Sequence, residues 1–572
     1  MKNRKTRLQQ IKDKENFSVL IIGAGINGIG TFRDLAFQGV DVLMVDRSDY
    51  CSGASAASSQ MVHGGIRYLE NGEFRLVREA VQERNRLIEN APHLVKPLPT
   101  TFPLFKIFSG ILNAPIKFMG LLDKPAERGA LVIKIGMMFY DYFTREQQTV
   151  PRHEFMNRAE SLGKFPELNP AIKYTGTYFD AAMPSPERIA VELVGDVDRI
   201  SEDAIPMNYV SFVSGKGDTV TLRDEISGEN FEIRPKIVIN AGGPWIDLVN
   251  NSLGQQTEFI RGTKGSHLVL DHPELRAAIG ENEFFFENKD GRIVLIFPLH
   301  DKVLIGTSDL DIDDPDEAVL TNEEVDYFFE MVKIVFPNIK LEKSQIVFTF
   351  SGVRPLTNSD TKSSAQISRD HKVGLIEAGN GLDFPVYSLI GGKWTTFRAF
   401  SEQAADRVLE RLGVDRKVST ADMKIGGANG LPTLPQEKKA FIGSFQNQYK
   451  TTKNRAEYLV ETYGKKAAEI LRGNEEKIFA SYPKMSVGEV EYLVEKEDVV
   501  HLDDLIFRRT MIGKLGILTE AGLTELAEIC TGVLSWDQSQ KKKEIKRVVQ
   551  IMEEKHRMNF REFIEFNNTI SD

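Results

Sequence analysis

Apolar and polar positions follow a strand, helix, strand pattern within the first fifty residues. Residues 19–22 form an apolar, β-branched run that predicts a buried strand. A stretch with apolar side chains at helical spacing comes next and ends near Gly39. A second apolar run, residues 40–45, stops at Asp46. The pattern therefore predicts a β-α-β unit with an acidic residue at its far end.

The turn between the first strand and the helix carries Gly23, Gly25 and Gly28 in G-x-G-x-x-G spacing. Glycines let the backbone approach a pyrophosphate, and a helix N-terminus offers it N–H donors and a partial positive charge. Asp46 lies 23 residues after Gly23, near the ~20-residue spacing at which an acid accepts hydrogen bonds from a ribose. These residues predict a dinucleotide site, and the motif leaves flavin and nicotinamide dinucleotides both open.

Strand patterns return in three later parts of the chain. Residues 186–250 combine a helical stretch with apolar strands that end in a Gly-Gly turn, and residues 264–310 predict an inserted antiparallel sheet with a hairpin at Asp290-Gly291. Residues 345–400 end in a strand, a Gly-Gly turn and a helix. Beyond a Gly- and Pro-rich boundary near 424–435 the pattern is helical and highly charged. We interpret its last basic stretch, KKKEIKRVVQIMEEKHR, as a solvated helix.

This pattern predicts three domains. The dinucleotide-binding domain is discontinuous and lies within residues 1–430, at about 1–100, 186–255 and 345–430. A substrate-binding domain is interleaved with it at about 101–185 and 256–344, and residues 431–572 form a helical C-terminal domain.

Composition and charge limit the kinds of molecule that the chain is expected to bind. The 572-residue chain has a formal net charge of −10, which argues against nucleic acid as a bulk partner. Cys51 and Cys530 show no metal-ligand spacing and are expected to be free thiols in a reducing cytoplasm. Residues 102–140 are apolar, but their longest uncharged stretch, 107–116, is too short to span a bilayer. This region either contacts a membrane surface peripherally or forms an ordinary flank of the core.

Several segments together resemble the FAD-dependent glycerol-3-phosphate dehydrogenase and oxidase family, within the D-amino-acid-oxidase-like flavoproteins. The similarity covers nearly the whole chain, and its segments are GAGINGIG, HGGIRYLE, NAGGPW, KGSH, IGTSD, SGVRPL, ISRD, GGKWTT and DDLIFRRT. The resemblance implies an α/β, Rossmann-like FAD-binding fold with an inserted antiparallel-sheet substrate domain and an all-α C-terminal domain. The GGPW turn and the TSD sequence look more like the oxidase members.

The resemblance also implies the reaction. FAD is the expected cofactor, and sn-glycerol 3-phosphate is expected to be oxidised to dihydroxyacetone phosphate by hydride transfer from C2 to flavin N5. Similarity to the oxidases implies O2 as acceptor and H2O2 as product, and analogy suggests a homodimer. Two alternatives stay open: a quinone-linked, membrane-associated dehydrogenase, and a flavin-binding interaction protein without turnover.

Candidate substrate residues lie in the family-like segments and carry cationic or polar groups suited to a phosphate and a hydroxyl. Arg354, Lys393 and His63 are the expected catalytic residues, with His63 as either the general base or a structural hydrogen-bonding group. The alternative to a general base is that Arg354 assists proton removal electrostatically, by lowering the pKa of the alcohol. The resemblance implies substrate contacts for Arg67, Tyr68, Arg369, Lys264 and His267.

Candidate cofactor residues lie around the glycine motif and in later turns. We expect Gly23, Gly25 and Gly28 at the pyrophosphate, Asp46 at the ribose, and Ser58 and Ser59 at the pyrophosphate or isoalloxazine. Val210 is expected to meet adenine through its backbone, and Gly242 to pack near the adenosine half. The turn of Gly392, Lys393 and Thr395, at a predicted helix start, is expected to aim N–H donors at flavin O2.

Overall fold

The computed structural model describes residues 4–66, 73–106, 130–144, 149–287, 293–358, 370–471 and 476–558. The strands are β1 (Asn16–Ile22), β2 (Val42–Val45), β3 (Met61–Val62), β4 (Lys96–Leu104), β5 (Glu154–Asn157), β6 (Tyr174–Ala182), β7 (Ile205–Met207), β8 (Val210–Lys216), β9 (Thr219–Asp224), β10 (Asn230–Asn240), β11 (Ile260–Leu270), β12 (Glu283–Glu287), β13 (Ile293–Leu299), β14 (Lys302–Gly306), β15 (Leu310–Asp311), β16 (Ile346–Thr357), β17 (Lys372–Ile376) and β18 (Val386–Ile390).

The helices lie between these strands and in the C-terminal part of the chain. They are α1 (Arg4–Lys14), α2 (Ile26–Phe37), α3 (Phe74–Asn90), α4 (Ala130–Thr144), α5 (Arg158–Lys164), α6 (Pro186–Asp198), α7 (Ile246–Ser252), α8 (Pro273–Ile279), α9 (Asn322–Val335), α10 (Phe397–Leu412), α11 (Pro435–Tyr449), α12 (Lys453–Tyr463), α13 (Ala467–Ile470), α14 (Val487–Lys496), α15 (Leu502–Asp504), α16 (Glu520–Leu534) and α17 (Gln538–His556). A π-helical turn, Leu505–Arg509, follows α15, and short 3₁₀ helices span Gly243–Trp245, Pro315–Glu317, Lys343–Gln345, Gly426–Ala428 and Gly464–Lys466. Among the described helices, none is long and apolar enough to cross a membrane.

The first sheet contains the predicted β-α-β unit. Its strand order is β17-β18-β10-β1-β2-β7, and β1 pairs in parallel with both β10 and β2. Helices α2, α6 and α10 cover one face, where Phe32 and Phe400 are fully buried. Because the carboxyl ends of parallel strands meet at one edge, the residues that follow β1, β2 and β10 come together there.

The second sheet has the order β15-β11-β14-β13-β12-β4-β6-β3, with β16 paired to β11 and β5 to β6. Its described pairs are antiparallel except β12 with β4, which is parallel and departs from the antiparallel sheet that was expected. Strand β16 belongs to this sheet, although residues from 345 onward were predicted to lie in the dinucleotide-binding domain. The predicted hairpin at Asp290-Gly291 and the apolar run 107–116 lie outside the described residues.

The C-terminal helices pack against the second sheet. One hydrophobic core joins Phe348 and Phe350 of β16 to Phe507, Val549 and other helical residues. Helix α17 buries Val548, Val549 and Met552, so the interpretation of this stretch as a solvated helix is wrong for one of its faces. The sequence pattern hid this because charged residues interrupt the apolar positions.

Candidate active site

A cavity of about 1270 Å³ lies between the two sheets. Its walls come from the carboxyl ends of β1, β2 and β10, the 52–59 loop, strands β11 and β16, and the turn that follows β18. Sites for drug-sized ligands usually measure ~300–1,000 Å³, so this cavity has room for a dinucleotide together with a small second molecule.

The three motif glycines have different roles. Gly23 has φ +105°, and a Cβ there would lie 2.7 Å from the Ala241 carbonyl oxygen, so the turn itself requires glycine. A Cβ on Gly28 would lie 2.0 Å from the Gly23 carbonyl oxygen, which makes Gly28 a packing residue rather than the expected pyrophosphate contact. Gly25 lines the cavity, and a Cβ added there would meet only the Ser55 hydroxyl at close range, at 3.3 Å. The backbone at Gly25 is therefore open to a pyrophosphate.

Asp46 is fixed at the cavity wall by two backbone donors. Its carboxylate accepts hydrogen bonds from the Ala24 N–H at 2.7 Å and from the Ser48 N–H at 2.9 Å. Burial nevertheless raises the pKa of Asp46 to about 6. Each carboxylate oxygen retains acceptor capacity, and this arrangement suits the hydroxyls of a ribose.

Four other predicted cofactor residues also line the cavity. The Val210 N–H donates to the Asp46 carbonyl at 2.8 Å, and the expected backbone contact of Val210 with adenine stays a prediction. Gly242 donates its N–H to Asn240 Oδ1 at 3.1 Å. The Ser58 hydroxyl accepts from the Gln60 N–H at 3.3 Å, and the Ser59 hydroxyl lies 2.9 Å from His267 Nε2.

Sequence reasoning missed Ser55. Its hydroxyl accepts a hydrogen bond at 3.0 Å from the Ile26 N–H, in the first turn of α2, and its carbonyl accepts one at 2.8 Å from Trp394 Nε1. Ser55 therefore joins the dinucleotide helix to the turn after β18. The small-residue stretch that contains it gave no signal that distinguished Ser55 from its neighbours.

The turn after β18 contains Gly391 and Gly392, both with positive φ. A Cβ on Gly392 would lie 2.7 Å from Asn27 Nδ2 in helix α2. Lys393 and Thr395 both line the cavity. Helix α10 begins only at Phe397, so this turn precedes the helix. The expectation that residues 392–395 stand at the start of a helix is therefore wrong.

His63 is held in the cavity wall through its backbone. The Thr395 hydroxyl accepts from the His63 N–H at 3.1 Å and donates to the His63 carbonyl at 3.0 Å. The next N–H, that of Gly64, donates to buried Asp180 Oδ1 at 3.0 Å. Buried Arg84 donates to the Phe179 carbonyl beside it at 2.8 Å. The Thr395 hydroxyl thus orients the His63 loop, and the flavin contact expected of the backbone N–H groups of this turn stays a prediction.

Arg354 projects from β16 across Gly265, where a Cβ would lie 2.1 Å from its guanidinium. Its donors reach Thr307 Oγ1 at 2.7 Å and Asp309 Oδ1 at 3.2 Å. Its side chain is 27 % exposed, and it lines the cavity. The guanidinium is therefore oriented but still accessible to an anion.

His267 lies on the neighbouring strand, stacked on the Phe350 ring with centroids 4.8 Å apart. Burial and the nearby Arg354 charge lower the pKa of His267 to about 3. The imidazole is therefore neutral near pH 7, and it is too weak a base to take a proton efficiently there. It lines the cavity, where a neutral ring can exchange hydrogen bonds with a ligand.

Lys264 was expected to bind substrate, but its ammonium group is directed elsewhere. The Lys264 Nζ donates to buried Glu324 Oε2 at 2.9 Å and to the Val319 carbonyl at 2.8 Å. This ion pair joins β11 to helix α9, so its position supports a structural role. Arg67, Tyr68 and Arg369 lie outside the described residues.

Comparisons with known proteins agree with this architecture. A sequence model of the family "FAD dependent oxidoreductase" matches residues 18–395, and one described as "C-terminal domain of alpha-glycerophosphate oxidase" matches residues 418–541. A glycerol-3-phosphate dehydrogenase of Synechocystis is 32% identical over 94% of this chain and 96% of its own. A D-erythritol 1-phosphate dehydrogenase of Brucella abortus is 29% identical over 87% of this chain and 95% of its own.

Among solved structures, the FAD complex of a Bacillus halodurans glycerol-3-phosphate dehydrogenase has the same fold. The two align with a TM-score of 0.74 and 22% identity, over 96% of this chain and 97% of the other. The cavity volume, the open backbone at Gly25 and the carboxylate of Asp46 fit FAD. The expected fold and cofactor are confirmed: the chain belongs to the FAD-dependent glycerol-3-phosphate dehydrogenase and oxidase family, and its cofactor is FAD.

Proposed function

We propose that this protein oxidises the C2 hydroxyl of sn-glycerol 3-phosphate to the ketone of dihydroxyacetone phosphate, with O2 as acceptor and H2O2 as product. One observation carries the proposal: cationic side chains from β16 and from the turn after β18, Arg354 and Lys393, line the same cavity as the dinucleotide motif. The relatives act on phosphorylated polyols, as their names state. The family model for the C-terminal residues, which carries the name of an oxidase, supports O2 as acceptor.

The chain's own residues supply binding, orientation and a proton acceptor. FAD, when bound, would supply the two-electron acceptor for the C2–H hydride and the route for those electrons to O2. Gly25 and the N-terminus of α2 would hold the pyrophosphate, and Asp46 would hold the ribose. Arg354 and Lys393 bind the substrate phosphate or stabilise the charge that develops on its C2 oxygen. Because guanidinium cannot lose its proton at neutral pH, Arg354 does not act as the base.

His63 is the better candidate to receive the C2 hydroxyl proton. An imidazole is the usual general base near neutral pH, and the lowered pKa of His267, about 3, makes that second imidazole too weak a base for the role. The double hydrogen bond of Thr395 to the His63 backbone fixes the ring's attachment point in the cavity wall. We therefore assign proton transfer to His63 and a neutral hydrogen-bonding role to His267.

Product stoichiometry in air tests the acceptor. The FAD-loaded protein, given sn-glycerol 3-phosphate and no added dye, is expected to consume O2 and to form H2O2 and dihydroxyacetone phosphate in equal amounts. Turnover that requires a soluble quinone and gives no peroxide would assign the chain to the quinone-linked dehydrogenases. Absence of product with either acceptor would leave a flavin-binding protein without turnover.

The same assay tests substrate class. D-erythritol 1-phosphate, with one more carbinol carbon, is the competing substrate because one relative carries its name. We expect a higher kcat/KM for glycerol 3-phosphate than for erythritol 1-phosphate, and the reverse order would reassign the substrate while keeping the chemistry.

A further inference from the structure

A buried polar cluster joins the loop after β2 to the C-terminal helical region. Its centre is Asp49, whose side chain is fully buried. The carboxylate accepts hydrogen bonds from Arg508 Nε at 2.6 Å, from Arg509 Nη1 at 2.7 Å and from Asn208 Nδ2 at 2.9 Å. The two guanidinium groups hold the pKa of Asp49 below its ordinary range despite the burial. Asp49 is therefore expected to be ionised, and its carboxylate joins two parts of the chain that are far apart in sequence.

A second connection runs beside the first. The Tyr209 hydroxyl donates to buried Asp504 Oδ1 at 2.5 Å. Asn208 Nδ2 also donates to the Asp498 carbonyl at 2.9 Å. The segment before β8 is thus attached to the C-terminal region by both a side-chain and a main-chain acceptor.

These two attached segments carry the proposed adenosine contacts. The Asp46 N–H donates to the Met207 carbonyl at 3.1 Å, and the Val210 N–H donates to the Asp46 carbonyl at 2.8 Å. The Tyr209 N–H donates to the Ser48 carbonyl at 3.0 Å. These backbone hydrogen bonds connect the segments of Asp49 and Tyr209 to the residue that carries the Asp46 carboxylate.

The C-terminal region also forms part of the cavity wall itself. Asp503, Arg508 and Arg547 line the cavity. Asp503 accepts from Arg508 at 2.8 Å and from Arg547 at 2.7 Å. These three charged groups are therefore cross-linked to one another, which suits a rigid wall.

We infer that the C-terminal helical region holds the adenosine side of the FAD site in its binding geometry, and that Asp49 is the positioning residue through which it acts. Removing one partner of a buried ion pair leaves the other charge uncompensated. Loss of the Asp49 carboxylate is therefore expected to weaken the attachment of the loop after β2 to the C-terminal region. The inference depends on FAD binding and on Asp46 as a cofactor contact, and it does not depend on the electron acceptor or the substrate.

The test compares two carboxylate-to-amide variants of similar burial. Asp49→Asn removes the charge beside Arg508 and Arg509. Glu489→Gln removes the charge of another buried carboxylate, which accepts from Arg455 Nη1 and Tyr463 OH, both at 2.7 Å. Glu489 lies within the C-terminal helices and is absent from the cavity lining in the described residues. Asp49 itself lines the cavity, so exchange of residues 46–49 in the FAD-free protein, which loss of a direct contact to FAD would leave unchanged, reports loss of the connection to the loop of Asp46.

The readouts are the FAD dissociation constant and dissociation rate, from flavin fluorescence, and hydrogen exchange of residues 46–49 in the FAD-free protein. We expect Asp49→Asn to raise the dissociation constant at least about tenfold and to speed exchange in this loop. Glu489→Gln is expected to lower the melting temperature and leave the dissociation constant within about twofold of the wild type. Equal dissociation constants for the two variants would overturn the inference.

A second pair of variants, which removes only one hydroxyl group each, tests the inference if Asp49→Asn does not fold. Tyr209→Phe removes the hydroxyl that contacts Asp504, and Tyr463→Phe removes a comparable buried hydroxyl that contacts Glu489. Weaker FAD binding by Tyr209→Phe alone supports the inference, and unchanged binding by both variants refutes it. A wild-type protein that binds FAD but does not oxidise glycerol 3-phosphate would contradict the proposed function and leave this inference standing.

Discussion

FAD binding is expected to weaken below about pH 6, because Asp46 must lose its proton before both carboxylate oxygens can accept ribose hydroxyls. The pKa of this carboxyl in the FAD-free protein is about 6, raised from 3.8 by burial. The proton must leave when FAD binds, so each pH unit below the pKa costs up to about 1.4 kcal/mol, or about tenfold in dissociation constant. The dissociation constant at about pH 5 is therefore expected to be about ten times that at pH 7.5.

Protonation of Asp46 has opposite effects on FAD binding and on the stability of the folded FAD-free protein. A carboxyl whose native pKa is raised contributes stability at low pH, and that contribution is lost as the pH rises from 3.8 through about 6. Asp46 therefore favours the folded FAD-free protein under the acidic conditions in which it disfavours FAD. Acid weakening of FAD binding by this group does not come from unfolding.

The assay is equilibrium quenching of flavin fluorescence at a series of pH values, with circular dichroism to confirm folding at each. Asp46→Asn is the matched variant, because an amide has the same shape and does not titrate in this range. We expect weaker binding for Asp46→Asn at pH 7.5 and a flatter pH dependence than for the wild type. Parallel pH curves for the two proteins would show that Asp46 does not titrate with FAD binding.

Three further substitutions address the substrate site, the turn and the second sheet. Arg354→Met is expected to lower kcat/KM for glycerol 3-phosphate about 10- to 100-fold, because charge-assisted hydrogen bonds to the substrate are lost. Arg261→Met is the control: it breaks an exposed ion pair with Asp311 on the same sheet and is expected to have little effect on kcat/KM. Equal losses of kcat/KM in the two variants would contradict the role of Arg354. Gly28→Ala places a Cβ 2.0 Å from the Gly23 carbonyl oxygen and is expected to lower the melting temperature and FAD affinity, unlike Gly163→Ala in open space. Burial raises the pKa of Glu283 to about 8, so the stability of the wild type falls by up to about 1.4 kcal/mol per pH unit between pH 4.5 and 8. The melting temperature of Glu283→Gln, relative to that of the wild type, is therefore expected to rise over this range. A difference in melting temperature that stays constant with pH would show that Glu283 is already ionised.

The sequence was most informative where local chemistry determines structure. The β-α-β unit and its acid followed from residues within thirty positions of one another, because strand, turn and helix signals are local. The close packing that requires glycine at position 23 did not follow, because it depends on Ala241, a residue that a distant parallel strand brings beside Gly23. The same limit applies to β16, whose pairing with β11 depends on sheet topology rather than on its own pattern.

Charged residues were the hardest to assign from sequence. Lys264 lies in a family-like segment, yet its partner Glu324 comes 60 residues later, on a helix whose placement no local pattern gives. Arg547 belongs to the charged helix that was interpreted as solvated, and Arg508 to a family-like segment for which no site role was predicted. Both line the cavity, and the C-terminal helices that carry them pack on the second sheet. Long-range burial, which sequence periodicity does not report, decides whether a cation is a ligand, a structural partner or a solvated group.

The decisive measurement is an anaerobic titration of the FAD-loaded protein with sn-glycerol 3-phosphate, followed by flavin absorbance. Oxidation of the substrate at this cavity is expected to remove the oxidised flavin absorbance in proportion to dihydroxyacetone phosphate formed, and air is expected to restore it with release of H2O2. A flavin spectrum that stays oxidised at saturating glycerol 3-phosphate would contradict the proposed reaction.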